Sequence, residues 1–180
     1  MRTVAALLLV SFLTCGLALQ GAARVPRPVG DFKALDTSGQ PISLASFKGK
    51  VVVVQFLYTW CPHCQETARI LSKIQSEWGS QGLQVIGVAF NDEVNTKNIV
   101  ANNLELTKFK AHATFPLGIA SKEAAIKYLG LSVMESFGVP QLIIIDRNGV
   151  IQAQTESKPT GLLLAEPNLR AKLAKMLAEK

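Results

Sequence analysis

The chain has 180 residues, of which 48% are hydrophobic and 18% charged, a composition typical of one compact domain and not of a disordered or repetitive chain. The formal net charge of +6 could suggest nucleic acid, but the basic residues are scattered and no basic run is combined with stacking aromatic residues. The sequence therefore predicts a solvated basic surface and no nucleic-acid partner.

The first 23 residues have the order of a secretory signal peptide. Arg2 is followed by an almost wholly apolar segment, Val4 to Leu13, and then by small residues that end in Gly21-Ala22-Ala23. We expect cleavage close to Ala23, so that residues 24–180 form the mature chain. The protein is then exported, with its working part in the periplasm or on the extracytoplasmic side of a membrane.

Two other fates of the leader stay open. It could remain as an uncleaved anchor, although its apolar run is shorter than the roughly 20 residues that a membrane span needs. Cys15 could become a lipidated N-terminal cysteine, although Phe12-Leu13-Thr14 before it match the usual lipoprotein signal poorly.

The predicted elements alternate between strands and helices. An extended lead-in at residues 24–30 precedes a hairpin within residues 31–50, which includes a strand at Pro41–Leu44. The continuous apolar, β-branched run from Val51 to Tyr58 predicts a strand covered on both faces, and the apolar spacing that follows predicts a helix from Pro62 to Trp78, stopped by Gly79 and Gly82.

The second half continues the alternation and completes an α/β fold. A strand at Gln84–Phe90 pairs in parallel with the first central strand through a right-handed crossover. The remaining predictions are a helix with a loop within residues 92–110, with Asp92 and Glu93 near its start and an interruption at Asn102-Asn103; a strand at Phe115–Ile119; a helix at Ser121–Leu129; a hairpin of Gln141–Asp146 with Val150–Gln154; and a helix from Pro167. This order predicts a mixed sheet with helices on both sides and an insert between the second central strand and the strand that follows Pro140.

Removal of the leader leaves only Cys61 and Cys64, at the junction of the central strand and its helix. Two cysteines so close together form no ordinary structural framework in an exported protein. A helix N-terminus favours a thiolate, so Cys61 at the cap position is the expected nucleophile. Cys64, one turn into the helix, is placed to resolve a mixed disulfide, and His63 adds a neighbour that stabilises the thiolate.

Other uses of the pair fit the sequence less well. A structural zinc site takes four ligands, and the chain after the leader offers only the two thiols, His63 and His112. A c-type haem attachment needs a histidine directly after the second cysteine, where this chain has Gln65. We therefore expect no metal and no cofactor.

Together these segments resemble the thioredoxin superfamily, and more closely its exported TlpA/ResA-like thiol–disulfide oxidoreductases within the redoxin and AhpC/TSA-like group. The resemblance extends over roughly residues 30–155 and is strongest in residues 44–53, 60–64, 115–116 and 138–149. It implies a single thioredoxin-like domain at residues 24–180. It also implies that Pro140 is cis and lies beside the disulfide, and that Val139 offers backbone hydrogen bonds to a substrate chain. Trp60, Pro62 and His63 would then tune the site and border its substrate groove.

Two positions depart from the family pattern. Thioredoxins place a buried Asp where this chain has Gln55, and ResA-like members often carry a Glu where it has Thr67. Those acids are thought to move protons to the resolving thiol. The dipeptide Pro62-His63 resembles instead the oxidising DsbA site and predicts a relatively oxidising disulfide.

The resemblance implies dithiol–disulfide exchange with protein substrates, a membrane redox partner and a monomer. Peroxiredoxins are not matched, because their Pro and Thr or Ser before the first cysteine correspond to Val54 and Tyr58. The alternative that remains is a copper or thiol carrier of the Sco type using Cys61 and Cys64, with His63 as a further candidate ligand, although Sco proteins separate their cysteines by three residues.

Overall fold

The mixed sheet anticipated from the sequence is present, and helices pack against both of its faces. The computed structural model describes residues 23–91, 99–132, 134, 136–159 and 161–179. Residues 1–22, which include Cys15 and nearly all of the expected signal peptide, and residues 92–98 lie outside the described part of the chain. No helix within that part is long and apolar enough to cross a membrane.

The described residues form eight strands and four α-helices. The strands are β1 (Arg27–Pro28), β2 (Lys33–Asp36), β3 (Pro41–Ser43), β4 (Val51–Leu57), β5 (Leu83–Ala89), β6 (Leu117–Ile119), β7 (Gln141–Ile145) and β8 (Val150–Gln154). The helices are α1 (Pro62–Trp78), α2 (Ile99–Phe109), α3 (Lys122–Leu129) and α4 (Glu166–Ala178). The strand order is β1-β8-β7-β4-β5-β6-β2-β3.

The strand β4 lies at the centre and is buried along its whole length, as its run of valines predicts. It pairs in parallel with β5 and antiparallel with β7. Successive residues face opposite sides of the sheet, so Val53 and Leu57 belong to the core under α1 while Val54 and Phe56 belong to the opposite core. The predicted central strand is confirmed.

The helix α1 has the bounds predicted for it. Its apolar positions Ala68, Leu71 and Ile74 are buried against the sheet, together with residues of α2 and α4. A short 3-10 turn follows Trp78 and ends at Gly82, whose φ of +98° is the left-handed conformation that favours glycine. The helix α3 packs on the other face with Phe32 and Leu44.

The structure corrects the sequence predictions at two strand starts. The lead-in contains an edge strand, β1, which pairs with β8, a position where its proline is tolerated because an edge strand needs fewer donors. The strand expected from Phe115 begins only at Leu117, since Pro116 has no N–H to donate to a ladder.

Two other boundaries differ from the prediction. The helix α2 runs without a break through Asn102-Asn103, because asparagine in a helix costs only about 0.7 kcal/mol relative to alanine. Leu44 belongs to a 3-10 helix, Leu44–Phe47, and not to the hairpin strand. The hairpin itself extends the main sheet through the β2–β6 pairing.

Candidate active site

The two cysteines lie where β4 gives way to α1. Cys61 is the N-cap residue of the helix, with extended φ and ψ of −76° and 119°, and Pro62 occupies its first turn. The backbone N–H of Cys61 donates to the Tyr58 carbonyl at 3.1 Å, which closes the turn between strand and helix. The predicted cap position of Cys61 is therefore confirmed.

The two thiols differ in exposure. Both cysteines are free; Cys61 keeps 7% of its surface exposed, whereas Cys64 is wholly buried. Burial raises the pKa of the Cys64 thiol far above its usual range, and the nearby Cys61 raises it further, while a hydrogen bond with the Tyr58 backbone opposes the shift. Cys64 is thus a protonated thiol at neutral pH, and Cys61 is the sulfur that an incoming molecule meets first.

The loop before β7 lies against Cys61. The Val139–Pro140 peptide bond is cis, as the family resemblance implies. Cys61 Sγ lies 4.0 Å from the carbonyl oxygen of Val139, at the limit of a weak hydrogen bond from the thiol. Pro140 is buried and Val139 is half-buried, so the backbone of Val139 borders the reactive sulfur.

Gln141 holds this loop in place, which the sequence analysis did not foresee. Its buried amide nitrogen donates to the carbonyl oxygens of Gly138, Glu156 and Ser157 at 2.7, 3.1 and 3.3 Å. The backbone N–H of Gly138 also donates to the Ser157 carbonyl at 2.8 Å. The segment after β8 is thereby tied to the cis-proline loop.

Thr59, two residues before Cys61, is hydrogen-bonded through its backbone and its side chain. Its N–H donates to Asn91 Oδ1 at 3.2 Å, and its carbonyl accepts from Gln65 Nε2 at 3.2 Å. Its hydroxyl accepts from Asn91 Nδ2 at 3.2 Å and donates to Glu105 Oε2 at 3.3 Å. We call Thr59, Asn91, Glu105 and Gln65 the Thr59 clamp; it ties the active-site loop to the end of β5, to α2 and to α1.

The remaining residues predicted for the site border Cys61 on its solvent side. Trp60 is 57% exposed, and its ring packs on Tyr58 with centroids 5.4 Å apart. Pro62 and His63 are exposed on the first turn of α1. The structure therefore brings Trp60, Pro62 and His63 together around the mouth of the site, as the sequence suggested.

The two positions that depart from the family pattern are both inside the molecule. Gln55 is wholly buried, and its Nε2 donates to the Cys64 carbonyl at 2.8 Å. Thr67 is buried one turn after Cys64. The sequence identified both positions but not the contact between Gln55 and Cys64.

The described residues contain no group of three or more His, Cys, Asp or Glu side chains that could hold a metal ion. His112 lies away from the thiols, with its Nδ1 2.8 Å from Arg69 Nη2. The arrangement is that of a dithiol able to exchange with an external disulfide.

Comparison with known proteins gives the same assignment. Residues 25–154 match the AhpC/TSA family. The chain is 26% identical over 144 residues to the thiol-disulfide oxidoreductase ResA of Halalkalibacterium halodurans, an alignment that spans 78% of this chain and 73% of that protein. It is 31% identical over 125 residues to the thioredoxin-like protein YneN of Bacillus subtilis, spanning 68% of this chain and 65% of that protein.

Solved structures agree in fold. The crystal structure of a thiol:disulfide interchange protein of the thioredoxin family from Chlorobium tepidum TLS superposes with a TM-score of 0.61 at 27% identity, and the superposition covers 87% of this chain and 99% of that one. These likenesses do not favour the Sco-type alternative. The chain belongs to the AhpC/TSA family and is a thiol–disulfide oxidoreductase with the thioredoxin-like fold.

Proposed function

We propose that the protein is exported and exchanges dithiols and disulfides with other proteins, with Cys61 as the attacking thiol and Cys64 as the resolving thiol. The observation that carries this assignment is the inequality of the two sulfurs. Cys61 caps a helix N-terminus, retains exposed surface and borders the cis-proline loop, whereas Cys64 is wholly buried.

The chemistry follows from that inequality. In the reducing direction, the Cys61 thiolate attacks one sulfur of a substrate disulfide, forms a mixed disulfide and releases the other substrate sulfur as a thiolate, which takes a proton. Cys64 then attacks the Cys61 sulfur, the two cysteines form a disulfide, and the second substrate sulfur leaves. Two electrons pass from the protein to the substrate, and the reverse sequence oxidises a substrate dithiol.

An extended polypeptide suits this site as a substrate. The Val139 backbone lies beside Cys61, where it could pair with the main chain of a bound segment, as in the addition of a strand to a sheet edge. The exposed ring of Trp60 offers an apolar surface next to the sulfur. Both features support a protein substrate in preference to a small thiol.

The composition of residues 1–23 supports export, and an exported dithiol needs a source or a sink of electrons outside the cytoplasm. A membrane redox partner that exchanges with the Cys61–Cys64 pair would meet that need. We propose that the protein acts on this partner as a monomer.

Replacement of Cys61 by Ser tests the assignment. We expect Cys61→Ser to reduce the rate of insulin reduction in the presence of dithiothreitol to the uncatalysed rate, because no accessible thiolate remains. Cys64→Ser should also lose turnover, since the mixed disulfide is no longer resolved within the protein. Unchanged turnover of Cys61→Ser would contradict the proposal.

A further inference from the structure

Gln55 occupies an unusual position for an amide side chain. It lies in the middle of β4, wholly buried, and its Nε2 donates to the carbonyl oxygen of Cys64 at 2.8 Å. Its Oε1 is also buried and has no hydrogen-bond partner among the described residues. An unpaired buried acceptor is unfavourable because it gives up its hydrogen bonds with water, so the contact with Cys64 has to outweigh that loss.

Among the described residues, the surroundings of Cys64 offer no base. The buried polar side chains of the described residues are all uncharged: Gln55, Thr59, Thr67, Asn91, Gln141 and Thr155. The neighbouring strands β5, β7 and β8 contain no ionisable residue.

The ionisable groups on the other elements packed around Cys64 lie at or near the surface. On α1 these are the exposed His63, Glu66, Arg69, Lys73 and Glu77. On α2, Glu105 pairs with Lys108; on α4, Arg170 pairs with Glu77 and Glu166, while Lys172 and Lys175 are exposed. Tyr58 is half-buried, with its ring between Trp60 and Phe90. Apart from the thiol of Cys61, no ionisable side chain of the described residues is buried near Cys64.

We propose that Gln55 is a positioning residue: it fixes the backbone of Cys64 but takes no proton from the Cys64 thiol. Loss of that proton to solvent therefore limits the resolution of the mixed disulfide. The inference rests on the proposed roles of Cys61 and Cys64. It explains why a buried amide is placed against Cys64 although one of its own polar atoms stays unpaired.

Cys64 loses its proton to water, and its sulfur forms a bond with Cys61 Sγ. The bond between Cys61 and the substrate sulfur breaks, and its electron pair leaves on the substrate as a thiolate. Because burial raises the pKa of Cys64, its thiolate fraction near neutral pH is small and grows about tenfold per pH unit.

Ellman's reagent separates this step from the first attack. The first equivalent of thionitrobenzoate reports the attack by Cys61, and the second reports the resolution by Cys64. Thionitrobenzoate leaves as a stable anion and needs no proton, so the pH dependence of the second phase reports Cys64 alone. The experiment follows both phases by stopped flow from about pH 6 to pH 8, where the attacking thiol has to become a thiolate to react.

Three proteins are compared: the unmodified chain, Gln55→Glu and Gln55→Met. Glu is nearly isosteric with Gln, and burial moves its carboxyl pKa towards neutrality, where it acts as a general base. Met has a similar length but neither donates nor accepts, and it serves as the matched control. Thr67→Glu places a carboxylate one helical turn after Cys64 and serves as a second test if Gln55→Glu does not fold.

We expect the second phase of the unmodified protein to accelerate about tenfold per pH unit. Gln55→Glu should be about tenfold faster at pH 7 and show a much flatter profile, as expected for general-base catalysis. Gln55→Met should be slower but keep the original slope. A second phase of the unmodified protein that is independent of pH, a folded Gln55→Glu with the original slope, or a flattened Gln55→Met would each overturn the inference.

Failure of the underlying assignment would look different. A missing first phase in the unmodified protein, or a first phase that survives in Cys61→Ser, contradicts the roles of the two cysteines. That conclusion does not depend on how the rate of the second phase varies with pH.

Discussion

Cys61 and Cys64 lie one helical turn apart, yet their surroundings differ. Cys61 has the helix N-terminus and solvent beside it, and Cys64 has apolar side chains and the buried amide of Gln55. The helix N-terminus favours an anion, while burial disfavours one. The roles proposed for the two cysteines therefore differ because of their location alone.

We expect His63 to raise the reduction potential of the Cys61–Cys64 disulfide. It is exposed on the first turn of α1, so solvent screens its effect on the Cys61 thiolate, and such interactions are worth up to about 1 kcal/mol. A more stable thiolate favours the reduced form and makes the disulfide more oxidising. His63→Ala should therefore lower the reduction potential by up to about 20 mV, since about 30 mV corresponds to 1.4 kcal/mol for this two-electron couple.

The potential is measured by equilibration with glutathione. His112→Ala is the matched control, because His112 contacts Arg69 and not the thiols, and it should leave the potential unchanged. An increase in potential for His63→Ala would contradict the proposed stabilisation. A potential of the unmodified protein as low as that of thioredoxin, about −270 mV, would contradict the expectation of an oxidising disulfide.

At the scale of elements, the Thr59 clamp connects the active-site loop to three separate pieces of the fold. Asn91 follows β5, Glu105 belongs to α2 and Gln65 to α1, and each is hydrogen-bonded to Thr59. Thr59 and Asn91 are buried, so these bonds are shielded from water. The orientation of Trp60 and Cys61 therefore depends on the position of α2, a helix in the insert.

Thr59→Val tests this dependence. Valine keeps the shape of threonine but removes the hydroxyl, which should lower the free energy of unfolding by about 1–3 kcal/mol because buried polar partners lose a bond. We also expect insulin reduction to slow several-fold, since the loop that carries Cys61 is held less firmly. Urea unfolding and the turnover assay measure the two effects.

Thr59→Ser is the matched control for that variant. Serine retains the hydroxyl, so stability and turnover should stay close to those of the unmodified protein. Losses in the serine variant with none in the valine variant would show that the methyl group, and not the hydroxyl, is what the site needs.

At the scale of the whole molecule, the sequence predicted the centre of the fold better than its edges. The strand β4 and the helix α1 were predicted almost to the residue, because an unbroken β-branched run, a proline in the first turn and a glycine stop act locally. The strand β1 and the attachment of the hairpin to β6 were missed, because each depends on pairing with a strand distant in sequence.

The candidate site divides in the same way. Cys61, Cys64, Trp60 and the Val139–Pro140 pair stand out as motifs, so the sequence was sufficient to select them as candidates. The Thr59 clamp joins residues 59, 65, 91 and 105, and no spacing rule connects residues 91 and 105 to residue 59 before the chain folds. Polar contacts of this kind have to be taken from the structure.

Export is the prediction that concerns the molecule as a whole. When the full chain is expressed in a bacterium, we expect the mature protein outside the cytoplasm, with an N-terminus close to residue 24 because the small residues before it suit a signal peptidase. Cell fractionation and mass spectrometry of the intact protein measure location and N-terminus. Retention of an unprocessed chain in the cytoplasm would contradict export, and deletion of residues 2–20 is the control that should cause such retention.

The central claim is that Cys61 attacks and Cys64 resolves, and trapping of the mixed disulfide tests it most directly. Cys64→Ser, mixed with a disulfide-bonded protein substrate and quenched in acid, should accumulate a covalent complex in which mass spectrometry finds the bond at Cys61. Cys61→Ser should form no such complex, because Cys64 is buried and protonated. A complex bonded through Cys64, or equal trapping by the two variants, would contradict the account.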